Sequence, residues 1–256
     1  MTDTAFWVVM VGVTLATSIL SGVLGMAGGM VLLAVLLLRF DPGVAIPVHG
    51  IVQLFSNASR AWFLREHIRA RVLLPFSLPL LPAAMLGVFL LGRLPPAVGR
   101  VLIGAFVLSV TLRPTSTGTT KQRRIAPERL LPVGGALVGF FSTLVGATGP
   151  LLGPFIVALE LSPQGTVGTL AACQVFQHAS KVLVFGFAGF DFQRQIWPAL
   201  GLSLCAIAGS ALGTRWLDRV DRNLFKRAVK VVLILLSLQL LVSGVWELFA
   251  APDRAP

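Results

Sequence analysis

Two stretches of this chain are versions of each other: VQLFSNASR at 52–60 and CQVFQHASK at 173–181. The offset between them is 121 (174 − 53), and it extends without a gap well beyond the two stretches. It aligns Ser21 with Ser142, Gly25 with Gly146, Gly28 with Gly149 and Pro42 with Pro163. Gln53/Gln174, Phe55/Phe176, Ala58/Ala179 and Ser59/Ser180 are identical, and Arg60/Lys181 keep their charge. In each copy a broken apolar segment precedes an apolar segment striped with polar residues. Duplicated apolar halves interrupted by Gly and Pro at matching positions predict two similar bodies, with a polar site at their interface, as in secondary transporters.

The length of 256 residues fits one or two domains, so composition decides the class. The chain is 55% hydrophobic and 12% charged, and several of its apolar runs are long enough to cross a hydrocarbon core of about 30 Å. The reading is an all-α integral membrane protein. Strands of alternating polarity, the signature of a membrane β-barrel, are missing from the pattern. The first charged residue is Asp3 and the apolar stretch 5–38 is too long for a signal core, so no secretory leader is expected. Cys173 and Cys205 both lie in apolar segments, and they are read as packing residues rather than a disulfide or a metal site.

The net charge of +11 does not imply nucleic acid. The basic residues gather in three short stretches between apolar runs. They are Arg65, Arg69 and Arg71; Arg113, Lys121, Arg123, Arg124 and Arg129; and Arg215, Arg219, Arg222, Lys226 and Arg227. This is the pattern of cytoplasmic loops, where anionic lipid is also within reach.

Apolar segments run at about 5–24, 27–39, 43–64, 72–91, 96–113, 130–147, 150–161, 164–189, 193–213 and 224–249. The polar stretch 114–129 reads as a basic cytoplasmic linker between a first membrane repeat, 1–113, and a second, 130–250, with 251–256 as a tail. Segments 27–39 and 150–161 are too short to span comfortably, and each follows a glycine-bearing break. Each repeat is therefore expected to be a broken, re-entrant helical hairpin plus three transmembrane helices. If each hairpin returns to its starting side, all three basic clusters fall on one side and both termini on the other, the periplasmic one. The two halves are then inverted with respect to each other.

Gln53, Ser56, Asn57 and Arg60 recur at i, i+3, i+4 and i+7, one face of a helix, and Gln174, Gln177, His178 and Lys181 repeat the pattern. Phe55 and Phe176 fall off the stripe and are expected to pack. A polar stripe on an apolar helix must face protein or water. Two stripes carrying cations and amides, in segments poor in carboxylates, suit a small oxyanion. Helices starting at mid-depth after the breaks would add backbone N–H groups and positive dipole ends, at Gly28, Gly29, Thr148 and Gly149. The candidate site is thus Gln53, Asn57, Arg60, Gln174, His178 and Lys181 with those four break residues. His178 is the candidate for proton coupling, because it lies on the stripe. His49 has no polar counterpart, since Leu170 stands there, and is read as a packed histidine. No metal site and no cofactor are expected.

The GVLGMAGG break, the GFFSTLVGATGP break, the paired QxFxxAS[RK] segments and the basic linker together resemble the TauE/SafE sulfite-exporter family, over about 8–245. The resemblance implies a bacterial inner-membrane protein that moves sulfite or related sulfur-containing organic anions, often outward. Larger organosulfonates or other organic acids are the alternative cargo. A homodimer is compatible with the reading. An intramembrane serine hydrolase would need Ser142 with His178, but Ser142 sits in Phe-Ser-Thr rather than in a nucleophile motif, so no enzyme is expected. A scaffold without transport would tolerate apolar residues on both stripes.

Overall fold

The computed structural model describes residues 3–25, 28–112, 127–216 and 222–250. Residues 114–126 of the expected linker and the tail 251–256 lie outside the described residues, as do Met26 and Ala27 of the first break. The described residues are mostly helical, without strands. The first half contains α1 (Asp3–Leu24), α2 (Gly28–Leu36), α3 (Pro42–Phe63), α4 (Leu73–Ser77), α5 (Leu80–Leu91) and α6 (Pro96–Leu112). The second contains α7 (Leu131–Leu144), α8 (Gly149–Val157), α9 (Pro163–Phe187), α10 (Ile196–Arg215) and α11 (Arg222–Ala250).

Local chemistry explains the boundaries that matter most. α3 and α9 both begin on a proline, Pro42 and Pro163, whose missing N–H costs nothing at a helix start. Ser162 caps α9 by accepting a hydrogen bond from Gly165 N at 3.0 Å. α1 ends at Gly25 with φ +78° and α7 just before Gly146 with φ +85°, a backbone region that a residue with Cβ rarely adopts. The segment 72–91, expected as one helix, is bent by 44° between Ala70–Ser77 and Leu80–Leu91, where Pro79 removes a main-chain donor.

Among the described residues, Phe6–Val23, Phe192–Arg215 and Val229–Phe249 are long and apolar enough to cross a membrane, and the bent pair makes a fourth candidate. α3 and α9, at 22 and 25 residues, have the length but carry the polar stripes. The exterior is apolar: Leu74, Phe89, Phe187, Trp197, Leu204, Val242 and Phe249 are all exposed. The interior holds Gln53, Asn57, Arg60, Gln174, Gln177, His178 and Lys181, each at most 7% exposed. A protein in water reverses this distribution, so lipid is the solvent that fits it.

α1 lies along α10, α7 along α5, α6 along α11, and α3 contacts both α9 and α10. Small residues let these backbones approach closely. A Cβ on Gly213 would sit 2.3 Å from the carbonyl oxygen of Ile19, and one on Gly135 2.0 Å from that of Phe76. Phe40, just beyond α2, packs on Phe6 near the start of α1, with ring centroids 5.8 Å apart. Leu159 and Leu161, beyond α8, pack against the cluster that holds Leu131 at the start of α7. α11 covers α2, whereas α8 leaves Pro154 and Val157 exposed.

Candidate functional site

The polar stripes of α3 and α9 face each other in the middle of the molecule. Between them and the two breaks is a cavity lined by Ser21, Gly29, Met30, His49, Gln53, Arg60, Ala147, Thr148, Gly149, Gln174, Gln177 and His178. It is small, about 20 Å³, room for roughly one water molecule. α2 begins at Gly28 and α8 at Gly149, and the first amides of a helix have no partner within it. Their positive ends therefore meet the cavity from the two halves of the chain.

Each stripe cation is tied to the carbonyl oxygen of a break glycine. Arg60 Nη1 donates to Gly25 O at 3.4 Å, and Nη2 to Ser56 Oγ at 3.3 Å. Lys181 Nζ donates to Gly146 O. Both cations are buried, and no Asp or Glu is buried among the described residues. A buried cation without a carboxylate partner leaves a positive field that only an anion or strong dipoles can satisfy.

Seven of the ten expected site residues line the cavity: Gln53, Arg60, Gln174, His178, Gly29, Thr148 and Gly149. Three do not. Asn57 turns back to its own helix, donating to Gln53 O at 2.7 Å and Gln53 Oε1 at 3.5 Å. Gly28 is pressed against α1, where a Cβ would be 2.0 Å from Thr17 O. Lys181 stands behind the second break on the Gly146 carbonyl. Phe55 and Phe176 are exposed on the outer surface instead of packed inside, a position that suits lipid contact.

The cavity also takes in His49, which sequence reasoning assigned to packing. Its Nε2 donates to Gly29 O at 2.9 Å, and its ring meets that of His178 edge to face at 5.6 Å. The signal was in the register: His49 stands four residues before Gln53 and so extends the stripe by one turn. Gln177 lay on the second stripe and lines the cavity as well. Several buried polar atoms here lack partners: Thr148 Oγ1, Gln174 Oε1, both amide atoms of Gln177, and Nδ1 of His49 and of His178. Unsatisfied groups of this kind, converging on one cavity, mark a place for a polar ligand.

No group of three or more potential metal ligands occurs among the described residues. No curated protein and no solved structure matches the chain significantly. Residues 10–240 match the family described as Sulfite exporter TauE/SafE. That span takes in both breaks, both stripes and the helices between them, and the chain belongs to the TauE/SafE sulfite exporter family.

Proposed function

We propose that this chain is a secondary transporter that exports a small sulfur oxyanion, sulfite first, across the bacterial inner membrane. Its family is one of membrane anion exporters. The observation that carries the proposal is the central cavity: one guanidinium, three amides, two histidines and two helix starts, with no carboxylate in its lining. Arg60 supplies the charge that draws an anion in. Gln53, Gln174, Gln177 and Thr148 supply donors that replace its hydration, and Lys181 strengthens the field from behind the second break. The cavity, at about 20 Å³, has to widen to admit any of these anions, and sulfite asks for less widening than a larger organosulfonate.

The two halves, 1–113 and 130–250, act as inverted repeats that rock against each other around the site. The packing of Phe40 on Phe6 supports a first hairpin that returns to its starting end. The packing of Leu159 and Leu161 with Leu131 supports the same for the second. At the far end of the molecule from Arg69, a second cavity of about 360 Å³ is lined by Asp41, Pro42, Leu91, Pro95, Phe185 and Phe190 among others. This is the vestibule through which the anion leaves on the periplasmic side. Outward movement of an anion gains about 2.3 kcal/mol per charge per 100 mV of inside-negative potential, so export needs no obligatory cation.

The test is thermal stabilisation of the purified protein by sulfite, sulfate, thiosulfate, taurine, phosphate and chloride. Selective stabilisation by sulfite that disappears in Arg60→Gln supports the site and the cargo. Stabilisation by taurine but not sulfite transfers the proposal to organosulfonates, and an undiminished response in Arg60→Gln removes the site from this cavity.

A further inference from the structure

Sulfite near neutral pH is a mixture of the dianion and singly charged hydrogensulfite, and the cavity distinguishes them. We infer that the transported species is the protonated monoanion, held as both acceptor and donor by the lining around Gln177 and His49. The inference rests on the proposed function and specifies the chemical form of its cargo.

Charge is the first observation. Of the two buried cations only Arg60 lines the cavity, since Lys181 is engaged with the Gly146 carbonyl. One guanidinium matches one negative charge, and a dianion would bring a second charge into a site with no second cation in its wall.

Hydrogen bonding is the second. Gln177 is 1% exposed, and neither its Nε2 nor its Oε1 has a partner. Rotating the amide exchanges the two atoms but always leaves one acceptor unanswered. His49 donates its Nε2 proton to Gly29 O, so in the neutral ring the buried, unpartnered Nδ1 is an acceptor too. A sulfite dianion offers oxygen lone pairs alone and would set them against these acceptors. Hydrogensulfite in its O–H form accepts from Arg60 and the amide donors, and gives its own proton to Gln177 Oε1 or His49 Nδ1. Burying an acceptor without a donor is costly, and for that reason the site selects the species that brings one.

The carrier then moves one charge and one proton with each sulfur, and the proton travels on the cargo. Proteoliposomes with the membrane potential clamped at zero and a pH step imposed across the bilayer read the stoichiometry of one charge and one proton per sulfur, after subtraction of flux in protein-free vesicles. Carriage of hydrogensulfite equalises that ion, so total sulfite ends higher on the alkaline side. Carriage of the dianion ends with sulfite higher on the acidic side, which overturns the inference while leaving sulfite transport intact.

Methanesulfonate, a bulkier monoanion without an O–H, should compete about tenfold more weakly than sulfite, a gap to which size and the missing donor both contribute. Gln177→Met should narrow that gap, with Gln177→Asn as a milder variant if the first does not fold. Equal competition by methanesulfonate in the unaltered protein also overturns the inference, because the proton would then ride on the protein. Absence of protein-dependent flux for any sulfur oxyanion in a folded sample removes the functional proposal and this inference together.

Discussion

The guanidinium of Arg60 donates to the carbonyl oxygen of Gly25 at 3.4 Å, across 35 residues of chain. Lys181 does the same to Gly146 across the same separation of 35. In each half a buried cation is fastened to the glycine that ends one helix, just before the short helix that meets the cavity begins. The breaks are cross-supported as well. A Cβ on Gly25 would lie 3.3 Å from Val167 of α9, and one on Gly146 3.2 Å from Ile46 of α3. Motion of either break is therefore felt by the stripes of both halves. A ligand drawn to Arg60 competes with the Gly25 carbonyl for its protons, which links binding to the geometry of the break.

The two cations should differ in effect. Arg60 lines the cavity, so Arg60→Gln should abolish sulfite-dependent thermal stabilisation and reduce transport about 100-fold or more, the scale of losing a positioned charged donor. Lys181→Gln should weaken binding about tenfold, because its charge acts from behind the break. Binding titrations on both variants check this. Equal losses would mean that Lys181 reaches the anion directly.

The placing of the candidate site's residues was legible where a side-chain period coincides with an energetic necessity. Gln53 and Arg60 recur on one face of an otherwise apolar helix, and such residues have to face inward in lipid, whatever the tertiary detail. The breaks were legible through Gly25 and Gly146, since each takes a positive φ that few other residues accept. Side-chain direction was not legible. Lys181 has the register of a ligand, but its flexible stem carries the ammonium to a carbonyl off the cavity wall. His49 has the register of the stripe, four residues before Gln53, but its 2.9 Å hydrogen bond to Gly29 O joins residues of different helices, and that partner is not written in the period. Phe55 and Phe176 were misread for a related reason: in a membrane an aromatic residue off the polar stripe has lipid available as a partner.

Alanine at the two break glycines should destabilise unequally. Gly25→Ala brings a left-handed backbone cost of about 1–2 kcal/mol, with its nearest neighbour at a tolerable 3.2 Å. Gly146→Ala has the same backbone cost and a 2.4 Å clash with Leu33 Cδ2, for about 2–4 kcal/mol in all. Thermal unfolding in detergent should rank them in that order. The reverse order would mean that Leu33 adjusts freely and Leu170 does not.

Arg100 bridges Asp41 at the start of α3 and Glu247 near the end of α11. Both carboxylates are about half exposed, so solvent screens the pairs. Arg100→Gln should cost no more than about 1 kcal/mol of stability, an effect that shrinks as salt is raised. It should leave sulfite affinity unchanged, because Arg100 is not part of the cavity wall. Unfolding curves at low and high salt, with sulfite titrations alongside, check both statements.

The inverted arrangement can be tested by which loops share a side. Gly92 and Phe190 line one cavity, just beyond the end of α9, whereas Arg69 N donates to Thr169 Oγ1 near the start of α9. In a background with Cys173 and Cys205 replaced by alanine, single cysteines at Arg93, Gln193, Arg69 and Arg215 occupy exposed positions. Arg93→Cys and Gln193→Cys should react with an impermeant maleimide in cells whose outer membrane is opened. Arg69→Cys and Arg215→Cys should react only after the inner membrane is breached. Arg93 follows the span that ends at Leu91, whereas Gln193 precedes the matching span of the second half, so the two share a side only if those spans run in opposite directions. Labelling of one but not the other from outside would break the inverted relation, and with it the placing of both basic loops in the cytoplasm.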